Sequence, residues 1–272
     1  MFRYFMFAFV FLLSSFVCAA QPVEFVVVVT SYNNGAKNRN RCLKNLESIR
    51  KQTYPYFTVL YVDDCSIDDN GKLVDEFVAK YGLQNKFTII HNAQRQGKLK
   101  NQYDVIHQIA PHKVIVEVDG DDALSHQGVL DKLASVYADD AIWCTWGSYR
   151  ETGGRIGVCA PFPQSVIQAK SFRSYPWVTS ALKTYYARLF QLIKKEDLQF
   201  QGRFIPDAVD FAIMYPMVEM AANGHFKFIK DILYIFYVYN HGLYFGQIPH
   251  EGISWPNFVR SRPVYPSLEK LF

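Results

Sequence analysis

The stretch Val114-Ile115-Val116-Glu117-Val118-Asp119-Gly120-Asp121-Asp122 decides how the rest of the chain is read. Its first five residues form a β-branched, mainly apolar run of the kind found in a strand buried on both faces of a parallel sheet. The run ends in three carboxylates and a glycine, which concentrates negative charge at one edge of a sheet. Left uncompensated, that charge raises the carboxyl pKa values and weakens the fold. Hard oxygen ligands favour a divalent cation, Mg2+ or Mn2+, as compensation, and such a cation is most useful where a diphosphate is held. An Asp-rich turn with a helix cap is the plain alternative. The neighbouring segments decide between the two.

On the N-terminal side, apolar strands alternate with amphipathic stretches. Phe25 to Thr30 reads as a buried strand, and Arg39 to Lys51 as a helix with Cys42, Leu43, Leu46 and Ile49 on one face. Phe57 to Val62 is a second strand closed by Asp63-Asp64-Cys65-Ser66, Gly71 to Tyr81 a helix, Phe87 to Ile90 a third strand and Lys98 to Ile109 a helix. This rhythm predicts an α/β fold with right-handed crossovers and a mostly parallel sheet. Ligands of such sheets bind at the carboxyl ends of the strands, and each polar motif falls at such an end. Beyond Ala141 the pattern loosens. Ile142 to Ser148 is expected as an edge strand, Pro161 to Trp177 as a loop, and Ala181 to Lys195 as a helix. Ala208 to Ala222 is expected as a helix opening after Pro206, Phe228 to Tyr239 as one or two strands, and Pro249 to Phe272 as a tail wrapping the surface.

The 272 residues are 50% hydrophobic and 16% aromatic, which excludes a disordered chain and allows one sizeable core. The net charge of +4 is spread without a Lys/Arg block, which argues against a nucleic-acid partner. Residues 1–20 differ from the rest: Arg3, an apolar run from Tyr4 to Val17, then Cys18-Ala19-Ala20, the layout of a secretory signal peptide. An uncleaved signal anchor is the alternative, with membrane association through this segment. The expected location is the lumen of the secretory pathway or outside the cell. Cys42, Cys65, Cys144 and Cys159 show no CxxC pair, so a zinc site is not expected. At most one disulfide is expected, and buried free thiols are the simpler reading.

Four ordered motifs, Val28-Val29-Thr30-Ser31-Tyr32-Asn33, Val62-Asp63-Asp64-Cys65-Ser66, Gly97 with Asn101, and Asp119-Gly120-Asp121-Asp122, resemble those of the inverting family 2 glycosyltransferases. The resemblance covers Phe25 to Leu124. It implies a GT-A type nucleotide-diphospho-sugar transferase fold, a single Rossmann-like domain with a mostly parallel central sheet and a C-terminal acceptor-side elaboration. Residues 21–124 would form the nucleotide-sugar-binding half, and 125–272 the acceptor-binding half and tail.

On this resemblance Thr30 and Tyr32 border the nucleobase, Asp64 accepts a hydrogen bond from it, and Asp63 is its structural neighbour. Gly97, Lys100 and Asn101 match a Gly-x-x-x-Arg-Asn stretch with Lys100 in the arginine's place, where it keeps the charge and loses the bidentate fork. Whether Arg95 substitutes is open, and Lys98 is read as part of a solvated helix face. Asp121 is expected to reach the Mn2+ or Mg2+ most directly, with Asp122 beside it and Asp119 on the ribose or a metal-bound water. The acceptor-side base is Asp210 or Asp207, since Val209 replaces the family's Glu in a Glu-Asp element. Glu219 is read as structural, and His241 as either a third metal ligand donated from the C-terminal part or a loop histidine with no special role.

The implied activity is transfer of a sugar from a nucleotide-sugar donor, UDP-linked, to a hydroxyl of a glycan, lipid or protein acceptor. A sugar-1-phosphate nucleotidyltransferase would need a glycine-rich phosphate loop, and Tyr32-Asn33-Asn34-Gly35 is poor in glycine. A non-catalytic exported carbohydrate-binding protein of the same fold is the other alternative.

Overall fold

Runs such as Phe25-Val26-Val27-Val28-Val29 have stiff β-branched side chains that suit an extended backbone and can be buried on both sides. In a computed structural model describing residues 21–35, 39–238 and 252–272, they build the middle of one sheet. The first half runs β1 (Phe25–Ser31), α1 (Arg39–Arg50), β2 (Phe57–Asp63), α2 (Asn70–Lys80), β3 (Phe87–His91), α3 (Lys98–Ile106) and β4 (Val114–Asp119). Then follow β5 (Ala123–Leu124), α4 (Val129–Tyr137), β6 (Cys144–Glu151), α5 (Gln164–Ala169), β7 (Thr184–Tyr186) and α6 (Ala187–Gln191). The chain continues with a small hairpin of β8 (Gln199–Phe200) and β9 (Arg203–Phe204), α7 (Val209–Met220), β10 (Phe226–Phe236) and α8 (Trp255–Arg260).

Eight strands form one sheet in the order β3-β2-β1-β4-β7-β6-β10-β5. The first four are parallel, β7 runs antiparallel to both β4 and β6, and β10 is parallel to β6. Alternate residues of β1 face opposite cores. Val26 and Val28 join the cluster built with α3, α6, α7 and α8, while Val27 and Val29 join the one built with α1, α2 and α4. The register sets the site. Thr30 lies opposite Val62 on one side and Asp119 on the other, and Ser31 opposite Asp63, so the polar ends of β1, β2 and β4 are level.

The second half departs from expectation in five places. Residues 142–148 do not form an edge strand: β6 lies between β7 and β10, because β10, more than seventy positions later, pairs along its whole length. Residues 181–195 are not one helix. Thr184-Tyr185-Tyr186 is drawn into the sheet between β4 and β6, a tertiary pairing that overrides helical periodicity, and the helix shrinks to α6. The expected loop at 161–177 contains α5, and α4 fills a stretch where no element was expected. The tail also does more than wrap the surface, since Trp255, Val259, Tyr265 and Leu271 are buried in the core that holds α7. Cys42, Cys65, Cys144 and Cys159 are all free thiols. Among the described residues no helix is long and apolar enough to cross a membrane.

Candidate active site at the carboxyl edge of the sheet

The acidic corner is held from three directions. Gly120 donates its N–H to the Thr30 carbonyl at 3.0 Å. A side chain at Gly120 would meet Ser31 Cβ at 2.6 Å, so only glycine lets β4 leave the sheet this close to β1. Asn45, fully buried on α1, donates its amide to the carbonyls of Asp119 (2.9 Å) and Asp122 (2.8 Å). From β10, the Tyr234 hydroxyl accepts the Asp119 N–H at 3.1 Å and donates to Asp122 Oδ2 at 3.0 Å, while the N–H of Tyr237, the residue after the strand, donates to Asp122 Oδ1 at 2.8 Å. Asp122 is therefore turned inward, and both of its oxygens serve the loop. Burial, with the charges of Asp121 and Asp119, pushes its carboxyl well above the usual range.

Toward α3 and α7 the corner meets a row of alternating charges that runs from partly exposed to buried. Lys98 Nζ, from the first turn of α3, lies 2.6 Å from Asp119 Oδ1 and 3.8 Å from Asp210 Oδ1. Lys183, buried just before β7, sits 3.1 Å from the same Asp210 oxygen and 3.4 Å from Glu117 Oε2, and Tyr185 donates its hydroxyl to Glu117 Oε1. Burial alone would raise the Asp210 carboxyl, but Lys183 and Lys98 outweigh it and hold it at about 2. Burial would lower both ammonium groups, yet the facing carboxylates keep Lys98 and Lys183 above the usual lysine range.

A second polar group lies beyond β2. Asp64 accepts the N–H groups of Gln96 (2.7 Å) and Gly97 (2.8 Å) and the Asn92 amide (2.9 Å). Burial tends to raise its carboxyl, and the Asn101 amide with these donors outweighs burial and holds it below the usual range. The loop so fixed turns through Gly97, whose φ of +86° suits only glycine, and opens α3 with Lys98 pointing at the corner. Asp63 accepts the Asn70 amide at 2.7 Å and the Ser66 hydroxyl, which shapes the turn after β2. Tyr32 is half-buried beneath the Arg95 guanidinium, 4.0 Å from its ring centre.

The two lysines of α3 change places relative to expectation. Lys98 is not on a solvated face but at the junction of Asp119 and Asp210, while Lys100 pairs with Asp104 one turn along the exposed side of α3. Of the two acceptor-side aspartates, Asp210 belongs to the charged row, and Asp207 accepts the N–H of Ala208 at 2.6 Å. Ala208 takes a left-handed φ of +53° just ahead of α7, so Asp207 makes no side-chain cap to that helix. His241 lies outside the described residues. The sequence assigns no role to Lys183, Glu117, Asn45 or Tyr234 and puts Lys98 on a solvated face. Glu117 alone carried a usable sign, since a charged residue inside an apolar strand requires a buried partner.

Among the described residues no group of three or more His, Cys, Asp or Glu side chains is arranged to hold a metal ion. Burial is the main cause of the raised Asp122 carboxyl, and the charges of Asp121 and Asp119 add to it. Mg2+ and similar ions commonly take one or two carboxylates together with substrate phosphates and water. The half-buried Asp119 and Asp121 fit a cation shared with a diphosphate, and do not by themselves form a complete cage.

Comparison with known proteins bears on the family and the fold. The sequence profile described as Glycosyl transferase family 2 matches residues 26–199. Glycosyltransferase GlyG of Streptococcus pneumoniae serotype 4 is 26% identical over 222 residues, covering 77% of this chain and 69% of its own. The S. aureus TarS fragment 1-349 in complex with UDP is similar at a TM-score of 0.57 and 21% identity, over 79% of this chain and 61% of that one. A longer TarS chain matches at 0.55 and 20% identity over 79% of this chain, which spans only 37% of it. The mannosyltransferase PcManGT from Pyrobaculum calidifontis, in complex with GDP-Man and Mn2+, gives 0.55 and 18% identity over 82% of this chain and 59% of its own.

Proposed function

The chain belongs to glycosyl transferase family 2 and is a glycosyltransferase of GT-A fold, and from that premise we propose that it transfers a sugar from a UDP-linked donor to an acceptor hydroxyl with inversion at the anomeric carbon. One observation carries the reading: Lys98 joins Asp119, at the donor edge of the sheet, to Asp210, at the start of α7. A donor-side and an acceptor-side carboxylate thereby lie within reach of one ammonium group. The UDP complex of TarS supports the choice of nucleotide.

The loop held by Asp64 and the Tyr32–Arg95 pair form the rim against which the nucleobase rests. Asp119 and Asp121 would hold a divalent cation, which when bound neutralises charge on the departing diphosphate. Lys98 is placed to change partners. Incoming phosphates carry more charge than either aspartate, so they draw its ammonium away from Asp210. Asp210 then retains one cationic neighbour instead of two, becomes more basic, and accepts the acceptor hydroxyl's proton on its carboxylate as the hydroxyl attacks. Lys183 keeps that carboxylate in place, and is itself held by Glu117 and Tyr185. The proposal includes export or membrane anchoring through residues 1–20, on the strength of their apolar sequence.

The test is UDP release from a panel of UDP- and GDP-sugars by the purified chain with Mn2+. Asp210→Asn should keep UDP affinity and lose about 10²- to 10⁴-fold in turnover, whereas Asp207→Asn should stay within about threefold. Full turnover in Asp210→Asn would sink the assignment.

A further inference from the structure

We infer that Trp177 is a stacking platform for a sugar ring, so that the acceptor is a saccharide; the inference rests on the transferase reading above and adds the acceptor's class to it. The segment from Trp177 to Lys183 embraces the start of α7. At one end Trp177 stacks on Phe211, with ring centres 4.0 Å apart and planes within 10°. At the other, Lys183 reaches Asp210, the residue next to Phe211, at 3.1 Å. The stack of Trp177 on Phe211 therefore lies one residue along α7 from the carboxylate proposed to receive the acceptor's proton.

The platform is braced from behind. Tyr215, one turn along α7, meets Trp177 edge-on at 5.4 Å and 77°. The Arg260 guanidinium lies 5.5 Å from the Phe211 ring centre and 5.4 Å from that of Tyr215. Of the four tryptophans, Trp143, Trp146 and Trp255 are buried at 5%, 0% and 4% exposure, while Trp177 keeps part of its surface in solvent. Among the described residues no other ring stacks on it. A partly exposed indole, backed by Phe211 and Tyr215 close to the start of α7, suits a ligand with a flat C–H face and hydroxyls at its edge. A pyranose has both: its axial hydrogens are slightly positive and would meet the negative face of the indole, and the hydroxyls at its edge would be free to reach Asp210. An alkyl chain would gain from the same surface but offers no hydroxyl at that height, and a peptide would leave its backbone groups unpaired over the ring.

Because Trp177 is the one partly exposed tryptophan, its fluorescence reports the platform without any need for turnover. Titrating the purified full-length chain with a panel of methyl glycosides and disaccharides should shift the emission and protect it from acrylamide. Trp177→Leu, which keeps the apolar bulk and removes the flat face, should abolish both effects. It should also raise the saccharide acceptor KM about tenfold while leaving UDP affinity unchanged, and Trp177→Phe should restore part of the loss. If the unmodified chain binds UDP and hydrolyses a UDP-sugar but no saccharide alters its emission or accepts the sugar, the platform is refuted and the transferase reading stands. Equal transfer to saccharides by Trp177→Leu and the unmodified chain would refute it as well. Absence of donor binding and hydrolysis would instead strike the transferase mechanism, with the saccharide titration still deciding the platform.

Discussion

Lys98 shows how far one side chain can alter the reading of a site. It opens α3 with a lysine two positions on, and from sequence Lys100 takes the phosphate-facing place while Lys98 looks like part of a solvated helix face. Only the turn at Gly97 sends the first inward and leaves the second with Asp104. The two should therefore behave differently on removal. Lys98→Ala is expected to lower kcat/KM for the donor about 10- to 100-fold, the scale of a charge-assisted hydrogen bond lost in a partly buried site. Lys100→Ala, which removes an exposed ion pair, is expected to change it by less than about threefold. Steady-state kinetics on the two variants separates them. Asp210 adds a pH dependence of stability. Its carboxyl is depressed in the folded protein to about 2, from an unfolded value of about 3.9, so its stabilising contribution is complete above the unfolded value and disappears as the pH falls toward 2. Urea unfolding from pH 5 down to pH 2 should show a steeper acid loss for the unmodified chain than for Asp210→Asn.

At the scale of elements, the sheet is legible from sequence up to β4 and poorly legible after it, for a physical reason. The strands β1 and β4 are β-branched runs buried on both faces, β2 and β3 are short apolar runs at the regular spacing of helix crossovers, and composition with that spacing identifies all four. The strand β7 is three residues long and exists because β4 and β6 lie on either side of it. Its Thr-Tyr-Tyr sequence says nothing of those partners. Lys183 was lost with it, in a stretch read as helix. The acidic corner was legible as a motif but its supports were not, since Asn45 and Tyr234 come from α1 and β10, distant along the chain. Those supports can be tested. Asn45→Leu leaves the buried carbonyls of Asp119 and Asp122 without their donor, which should cost about 1 to 3 kcal/mol in denaturant unfolding and weaken UDP binding. The corner's excess charge predicts a response to metal. Mn2+ with UDP should raise the melting temperature, as any ligand selective for the folded state does. A chelator, or the double variant Asp119→Asn with Asp121→Asn, should remove the Mn2+-dependent part of the rise.

Across the whole molecule, one sheet is shared by two cores, and the two halves of the site depend on different ones. The corner and its α1 support lean on the core that contains Val27, Val29, Val116 and Leu46, whereas α7, which carries Asp210, is embedded in the opposite core with the C-terminal segment. Glu219, at the far end of α7, ties that segment in. Its carboxylate receives the Arg173 guanidinium through two hydrogen bonds, at 2.5 and 2.9 Å, and the Tyr265 N–H at 2.9 Å. Arg173 also donates to the Val259 carbonyl at 2.7 Å. Both charged partners are nearly fully buried, at 1% and 8% side-chain exposure, so removing one strands the other in a medium that cannot solvate it. Glu219→Ala should then lower stability by about 3 to 5 kcal/mol. The functional consequence follows from which core is loosened. Turnover should fall by about tenfold or more, because a degree of freedom in α7 displaces Asp210 from the acceptor hydroxyl, while UDP affinity in the presence of Mn2+, measured by calorimetry on protein that remains folded, should change by less than about threefold. Equal loss of UDP affinity and turnover would mean that the two cores respond as one unit and that the sheet transmits the damage from α7 to the donor edge.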